Sequence, residues 1–150
     1  MDHAAFRAAM GQFATGVAVV TTRGPAGLTT NAFASLSLDP MLVLVCLDLG
    51  SRTLAAVREH ERLAVNILSA SQRDLAVRFS GKASHAEKFR DVGWCEEAGV
   101  PVLDGTVAWV AGPVRELVPG GDHMIAITAV EALGAPGGGP LLFHGGVYRA

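Results

Sequence analysis

The sequence predicts a mainly β protein, an antiparallel Greek-key-like barrel, closed or split, of about six strands with two or three short helices. Three observations predict it. Apolar and β-branched runs recur at VAVVTT, MLVLVCLD and RLAVNIL, and again through the last third of the chain. Eighteen glycines are scattered without a repeat, as suits a chain with many turns. Antiparallel strands joined by short connections leave open edges, and a sheet that curls on itself buries them best.

The elements follow in order. Asp2 is placed to cap a short helix carrying Phe6, Met10 and Phe13 on one side. VAVVTT (17–22) reads as a strand, and RGPAG (23–27) as a tight turn that returns GLTTNAF antiparallel to it. Asp39-Pro40 breaks the pattern, and MLVLVCLD (41–48), apolar on both faces, reads as a central covered strand. Ser51 opens SRTLAAVREH with Leu54, Ala55, Val57 and Arg58 at helical spacing. RLAVNIL (62–68) is a further strand, and 69–81 a second helix ending at Gly81. KASHAEKFRDVGW is polar and irregular or briefly helical. Strands are expected over 105–117, 123–133 and 140–149, with GAPGGG (134–139) as a turn.

A chain of 150 residues, half of them hydrophobic and 17% charged, suffices for one folded domain, and no linker divides it. The net charge of −2 comes without any Lys/Arg block, which argues against nucleic acid and anionic membrane as partners. MLVLVCL (41–47) is too short to span a bilayer, and MDHAAFRAAM lacks a signal pattern. Cys46 and Cys95 read as reduced thiols of a cytoplasmic protein.

Several chemistries are missing. There is no P-loop, no G-x-G-x-x-G between strand and helix, no G-x-S-x-G, and no metal-type spacing among the five histidines. Three constellations remain. TTNAFASLSLDP (29–40) places hydroxyls and an amide, Thr30, Asn31, Ser35 and Ser37, where a strand normally carries Val and Ile, with small Ala32 and Ala34 between them. That is either a solvent-facing strand or a wall for a polar ligand. Ser51, Arg52 and Thr53 stand at a helix start, where unpaired N–H groups and the dipole suit a phosphate, although Ser is also an ordinary cap. Asp122-His123, after the Gly120-Gly121 turn, sits at a strand mouth where the carboxylate can orient the imidazole, or is merely a turn.

Taken together, FRxAMGQFATGVAVVTT, GLTTNAFASLSLDPMLVLVCLD, SRTL, RFSG...KF, GDH and the terminal LLFHGGVYR resemble the flavin reductase family, from Phe6 to Arg149. The resemblance implies an FMN-binding split β-barrel that forms a homodimer. It implies NAD(P)H:flavin oxidoreductase activity on FMN, with FAD possible, using NADH or NADPH and supplying a flavin-dependent oxygenase. It places Thr30, Asn31 and Ala32 along the flavin ring and ribityl chain. Ser35, Leu36 and Ser37, with Ser51, Arg52 and Thr53, fall toward the phosphate, and Phe79, Ser80 and Gly81 over the flavin. His123 falls near the nicotinamide and Tyr148 beside the same cleft. The chain departs from the family pattern at Phe143, where Tyr is common, and at the bare Gly145-Gly146. Hydride transfer between stacked rings asks the protein mainly for positioning, which a chain without a dinucleotide fold can supply. The alternatives are a non-catalytic flavin-binding or sensing module on the same barrel, and the related barrels that oxidise pyridoxamine phosphate.

Overall fold

The computed structural model describes all residues, 1–150. Its elements are α1 (His3–Met10), β1 (Thr15–Gly16), β2 (Ala18–Thr22), β3 (Ala26–Thr30), β4 (Phe33–Ser37), β5 (Leu42–Asp48), α2 (Arg52–His60), β6 (Arg62–Ile67), α3 (Arg73–Ser80) and α4 (His85–Lys88). Then come β7 (Trp94–Glu97), β8 (Val100–Leu103), β9 (Ala108–Gly120), β10 (His123–Ala129), β11 (Ala132–Gly134), β12 (Leu142–His144) and β13 (Val147–Arg149).

The main sheet runs β3-β2-β6-β9-β10-β5-β4, all antiparallel, with β11 added to β9. Its two edge strands, β3 and β4, are consecutive in sequence and joined only through Asn31 and Ala32. The sheet therefore curls until its edges meet at one short connection, which is the split barrel the sequence implied. Strand β9 makes the curl possible. Residues 108–113 pair with β6, and residues 114–120 pair with β10, with a register shift between Val114 and Glu116.

Alternation on β2 feeds two cores. Ala18 and Val20 face Val45, Leu47, Leu63, Val65 and Ala126 inside the barrel, where Leu54 and Val57 of α2 join them. Val17 and Val19 face outward onto Leu68, Ala76, Phe79, Phe89 and Leu103, beneath α3 and α4. A two-residue period buried on both sides accounts for the fully buried β2. Between the layers, Asn66 is fully buried; it donates to Val19 O (2.9 Å) and Thr21 Oγ1 (3.0 Å) and accepts from Leu103 N–H (2.8 Å). That side chain pins β8 to the barrel.

Three expectations are corrected. Strand β5 is not central, because it neighbours the edge strand β4, and Leu44 and Cys46 on its second face are only half-buried. Residues 95–104, to which no element was assigned, complete a β7–β8 hairpin closed by Ala98 (φ 49°) and Gly99 (φ 79°). The terminal 140–149 run is two strands around Gly145-Gly146 (φ 59° and 79°), and 123–133 is divided into β10 and β11.

Gly112 sits at the corner of β9, where a Cβ would stand 1.9 Å from Ala129 O. Gly112→Ala therefore forces backbone movement, and urea unfolding should show a loss of about 3 kcal/mol. A change below about 0.5 kcal/mol would show that the corner is not closely packed.

Candidate active site

An open cleft of about 700 Å³ lies between β3, the start of α2, the end of α3 and the mouth of β10. Thr30, Ser51, Arg52, Thr53, Phe79, Ser80, Gly81 and His123 all line it, so segments 93 residues apart in sequence, Thr30 to His123, are brought together. Asn31 and Tyr148 line a smaller recess of about 120 Å³ that shares Thr29, Thr30 and Ser80 with the cleft. There Tyr148 packs on Phe143 with ring centroids 5.2 Å apart. Ala32 is half-buried at the β3–β4 connection, where its N–H donates to Thr30 Oγ1 (3.0 Å). Ser35, Leu36 and Ser37 lie on the edge strand β4, across a register irregularity, and line neither cavity within one chain.

The roles of two predicted groups are narrower than their motif suggests. Ser51 Oγ accepts from Leu54 N–H (2.9 Å), so the hydroxyl caps α2 while the first-turn amides of Arg52 and Thr53 have no partner within the helix. Phe79 does not cover the cleft. It is fully buried beneath it, edge-on to Phe89 with centroids 4.9 Å apart. Ser80 and Gly81 form the rim at the C-terminus of α3.

Sequence reading missed the basic lining of the cleft. Lys82, His85 and Lys88 join Arg52 there. The Arg52 guanidinium donates to the carbonyls of Lys82 (3.0 Å) and Ala83 (2.6 Å), which ties the α3–α4 loop to α2. Lys88 is 5% exposed, and its ammonium donates to Gly27 O (3.0 Å). Gly27 N–H in turn donates to His85 Nδ1 (3.4 Å). None of these four basic residues has a carboxylate within ion-pair distance. Burial, with Arg52 close by, holds the Lys88 ammonium below its ordinary range. Burial, then the charges of Lys88 and Arg52, lowers His85 as well. A buried ammonium beside a guanidinium, with no acid to offset either, is an arrangement that a bound anion completes. The signal was present in KASHAEKF, but only the fold shows that its Lys and His meet β3.

His123 brings a second kind of group to the cleft. His123 lies opposite Asp48 across the β5–β10 ladder, and its Nδ1 is 2.7 Å from Asp122 Oδ1. The hydrogen bond from His123, then its charge, keeps the Asp122 carboxyl below the ordinary carboxylate range. An ionised carboxylate only accepts, so Nδ1–H donates to it and Nε2 is the ring nitrogen left facing away from Asp122.

His85 generates a pH prediction. Its folded value lies below the ordinary 6.5, so as the pH drops below 6.5 the unfolded chain takes up the proton first. Stability of the ligand-free protein should fall with pH in that window through this group, with no contribution above it. Thermal melts across the window should show the wild type losing stability faster than His85→Gln; parallel curves would contradict the assignment.

The comparisons with known proteins agree with this geometry. Residues 10–150 match the flavin reductase like domain family. The FMN reductase (NADH) of Agrobacterium fabrum is 40% identical over 95% of this chain and 83% of its own length. The reductase subunit of a flavin-dependent monooxygenase of Mycobacterium tuberculosis is 38% identical over 99% of this chain and 82% of its own length. The solved NADH:FAD oxidoreductase of Streptomyces globisporus, in complex with NAD and FAD fragments, superposes with a TM-score of 0.93 at 35% identity, covering 99% of this chain and 92% of that one. With the split barrel, the basic cleft and the match over residues 10–150, the chain belongs to the flavin reductase-like family.

Proposed function

We propose that this flavin reductase takes a hydride from NADH, holds the flavin phosphate at the Arg52, His85 and Lys88 cluster of the cleft, and supplies reduced flavin to an oxygenase partner. The observation that carries this reading is the polarity of the cleft. Its basic residues Arg52, His85 and Lys88 cluster without an ion-paired acid, and a histidine held by a carboxylate lines the same cleft. A phosphorylated flavin, FMN or the FMN half of FAD, fits that arrangement, and its ring supplies the hydride-accepting chemistry when bound.

The chain's own residues do the rest. Lys88 and the free amides at the start of α2 supply charge and donors for the phosphate. Thr29 Oγ1 is spent on Ala76 O (2.6 Å), which fixes β3 against α3 and keeps that wall rigid. Thr30 and Asn31 offer polar groups along the wall. Asp122 holds His123 through Nδ1–H, and Nε2 of the ring, when neutral, accepts, suited to an amide N–H such as the nicotinamide carboxamide. A positioned ring pair is the main requirement of hydride transfer, because proximity and orientation supply most of what the protein can add.

The reading includes a homodimer. Helix α1 buries none of its residues within one chain, and Phe6 (58% exposed) and Phe13 (79% exposed) stand out on and just beyond it. Exposed Leu36, Leu38 and Met41 lie on and just beyond β4, where a second copy would bring Ser35 and Ser37 beside a cleft. A cytoplasmic location is supported by two free cysteines, Cys46 and Cys95. No helix is long and apolar enough to cross a membrane.

Purified protein mixed with NADH and FMN in air should consume NADH only when both flavin and protein are present. No consumption with any flavin, while flavin still binds, would favour a passive flavin module. His123→Ala should leave FMN affinity within about twofold and lower turnover with NADH by roughly 10–100-fold. Equal loss of binding and turnover would place His123 in the flavin seat instead.

A further inference from the structure

We propose that His85 is a direct ligand of the flavin phosphate, donating from Nε2–H, and that it helps the chain prefer phosphorylated flavin over riboflavin. The inference rests on the flavin reading above and adds a residue that neither the motif nor the family match identifies.

A backbone N–H can only donate, so Gly27 N–H, at 3.4 Å, makes His85 Nδ1 an acceptor. The single proton of the neutral ring is then on Nε2, across the imidazole from β3. Protonating Nδ1 would turn two donors against each other and lose the Gly27 contact. Arg52 from α2 and Lys88 from the same short helix add their charges against a third cation, and Lys82 of the preceding loop lines the cleft. His85 also has no carboxylate partner within ion-pair distance. The Gly27 contact thus favours the tautomer that carries the proton on Nε2, beside the cations Arg52, Lys82 and Lys88 that line the same cleft. Neutrality has a physical use here. A third full charge beside Lys88 and Arg52 would repel both when the cleft is free of anion, whereas an N–H donor gives the phosphate one more bond without that repulsion.

The anchoring of His85 separates it from the ring wall. Its Gly27 contact and the Lys88 contact to Gly27 O both fall on one residue of β3, so the two side chains present their free donors from a common anchor. Residues that build the ring wall, Thr30 and Asn31, lie farther along β3 and its connection. Loss of the His85 donor should therefore be felt by the phosphate and not by the ring.

The test is a fluorescence titration of the full chain with FMN and, separately, with riboflavin. The wild type should bind FMN more tightly. His85→Ala should weaken FMN by about tenfold and leave riboflavin unchanged, so that the FMN-to-riboflavin ratio falls by the same factor. His85→Gln, whose amide N–H stands near the place of Nε2–H, should recover most of that ratio, while His85→Asn, whose shorter amide does not reach it, should not. A merely structural role would lower both affinities together and leave the ratio intact. An unchanged ratio in His85→Ala, or equal behaviour of the Gln and Asn variants, overturns the assignment. A wild type that binds neither flavin overturns the flavin reading itself, whereas one that binds both equally shows a flavin site without phosphate recognition and overturns this inference alone.

Discussion

The cleft depends on one stretch of backbone, the peptide groups of Gly27. Its carbonyl receives the Lys88 ammonium, its N–H reaches His85, and its bare Cα faces Phe79. A Cβ there would stand 3.0 Å from Phe79 Cε1 and 3.0 Å from Val20 O, so a side chain would press on both the α3 core and its own sheet. Glycine lets the sheet approach the helices closely enough for the basic residues of α4 to use β3 as their anchor. The strand, the buried aromatic pair and the basic residues of the cleft are thus parts of a single packing arrangement.

That arrangement sets stability against function. A buried ammonium whose only contact is a carbonyl is costly compared with an apolar side chain of the same shape. Here Lys88 is accompanied by Arg52, whose own bonds to the carbonyls of residues 82 and 83 neutralise no charge. The fold offsets the cost through its two cores, one inside the barrel and one beneath α3 and α4, which share the alternating faces of β2. It also offsets it through the satisfied Asn66 network between them. Ligand binding then relieves an electrostatic demand that is already built, which is the meaning of preorganisation at such a site.

Much of this was legible in the sequence, and the parts that were not have physical reasons. The helix over 69–81 and the helix after Ser51 follow from capping and spacing, and both formed, the former beginning with a single 3-10 turn at Ala70–Gln72. The Thr30, Ser51 and His123 segments were found because each carries a local motif, and the barrel closes them into one cleft. The β7–β8 hairpin escaped notice because the first of its two positive-φ turn residues is Ala98, where Asn or Gly is usual. His85 and Lys88 escaped because their partner on β3 lies 58 and 61 residues away, a distance no local pattern spans. Ser35 and Ser37 were legible as polar, but they lie on the edge strand β4 and line neither cavity within their own chain.

The most direct test is the crystal structure of this chain with FMN bound. The account predicts the phosphate within hydrogen-bond distance of Lys88 and His85, close to the first amides of α2, with the flavin ring running along Thr30 toward His123. A phosphate seated away from the Gly27 anchor, with Lys88 and His85 unchanged and unengaged, would contradict it.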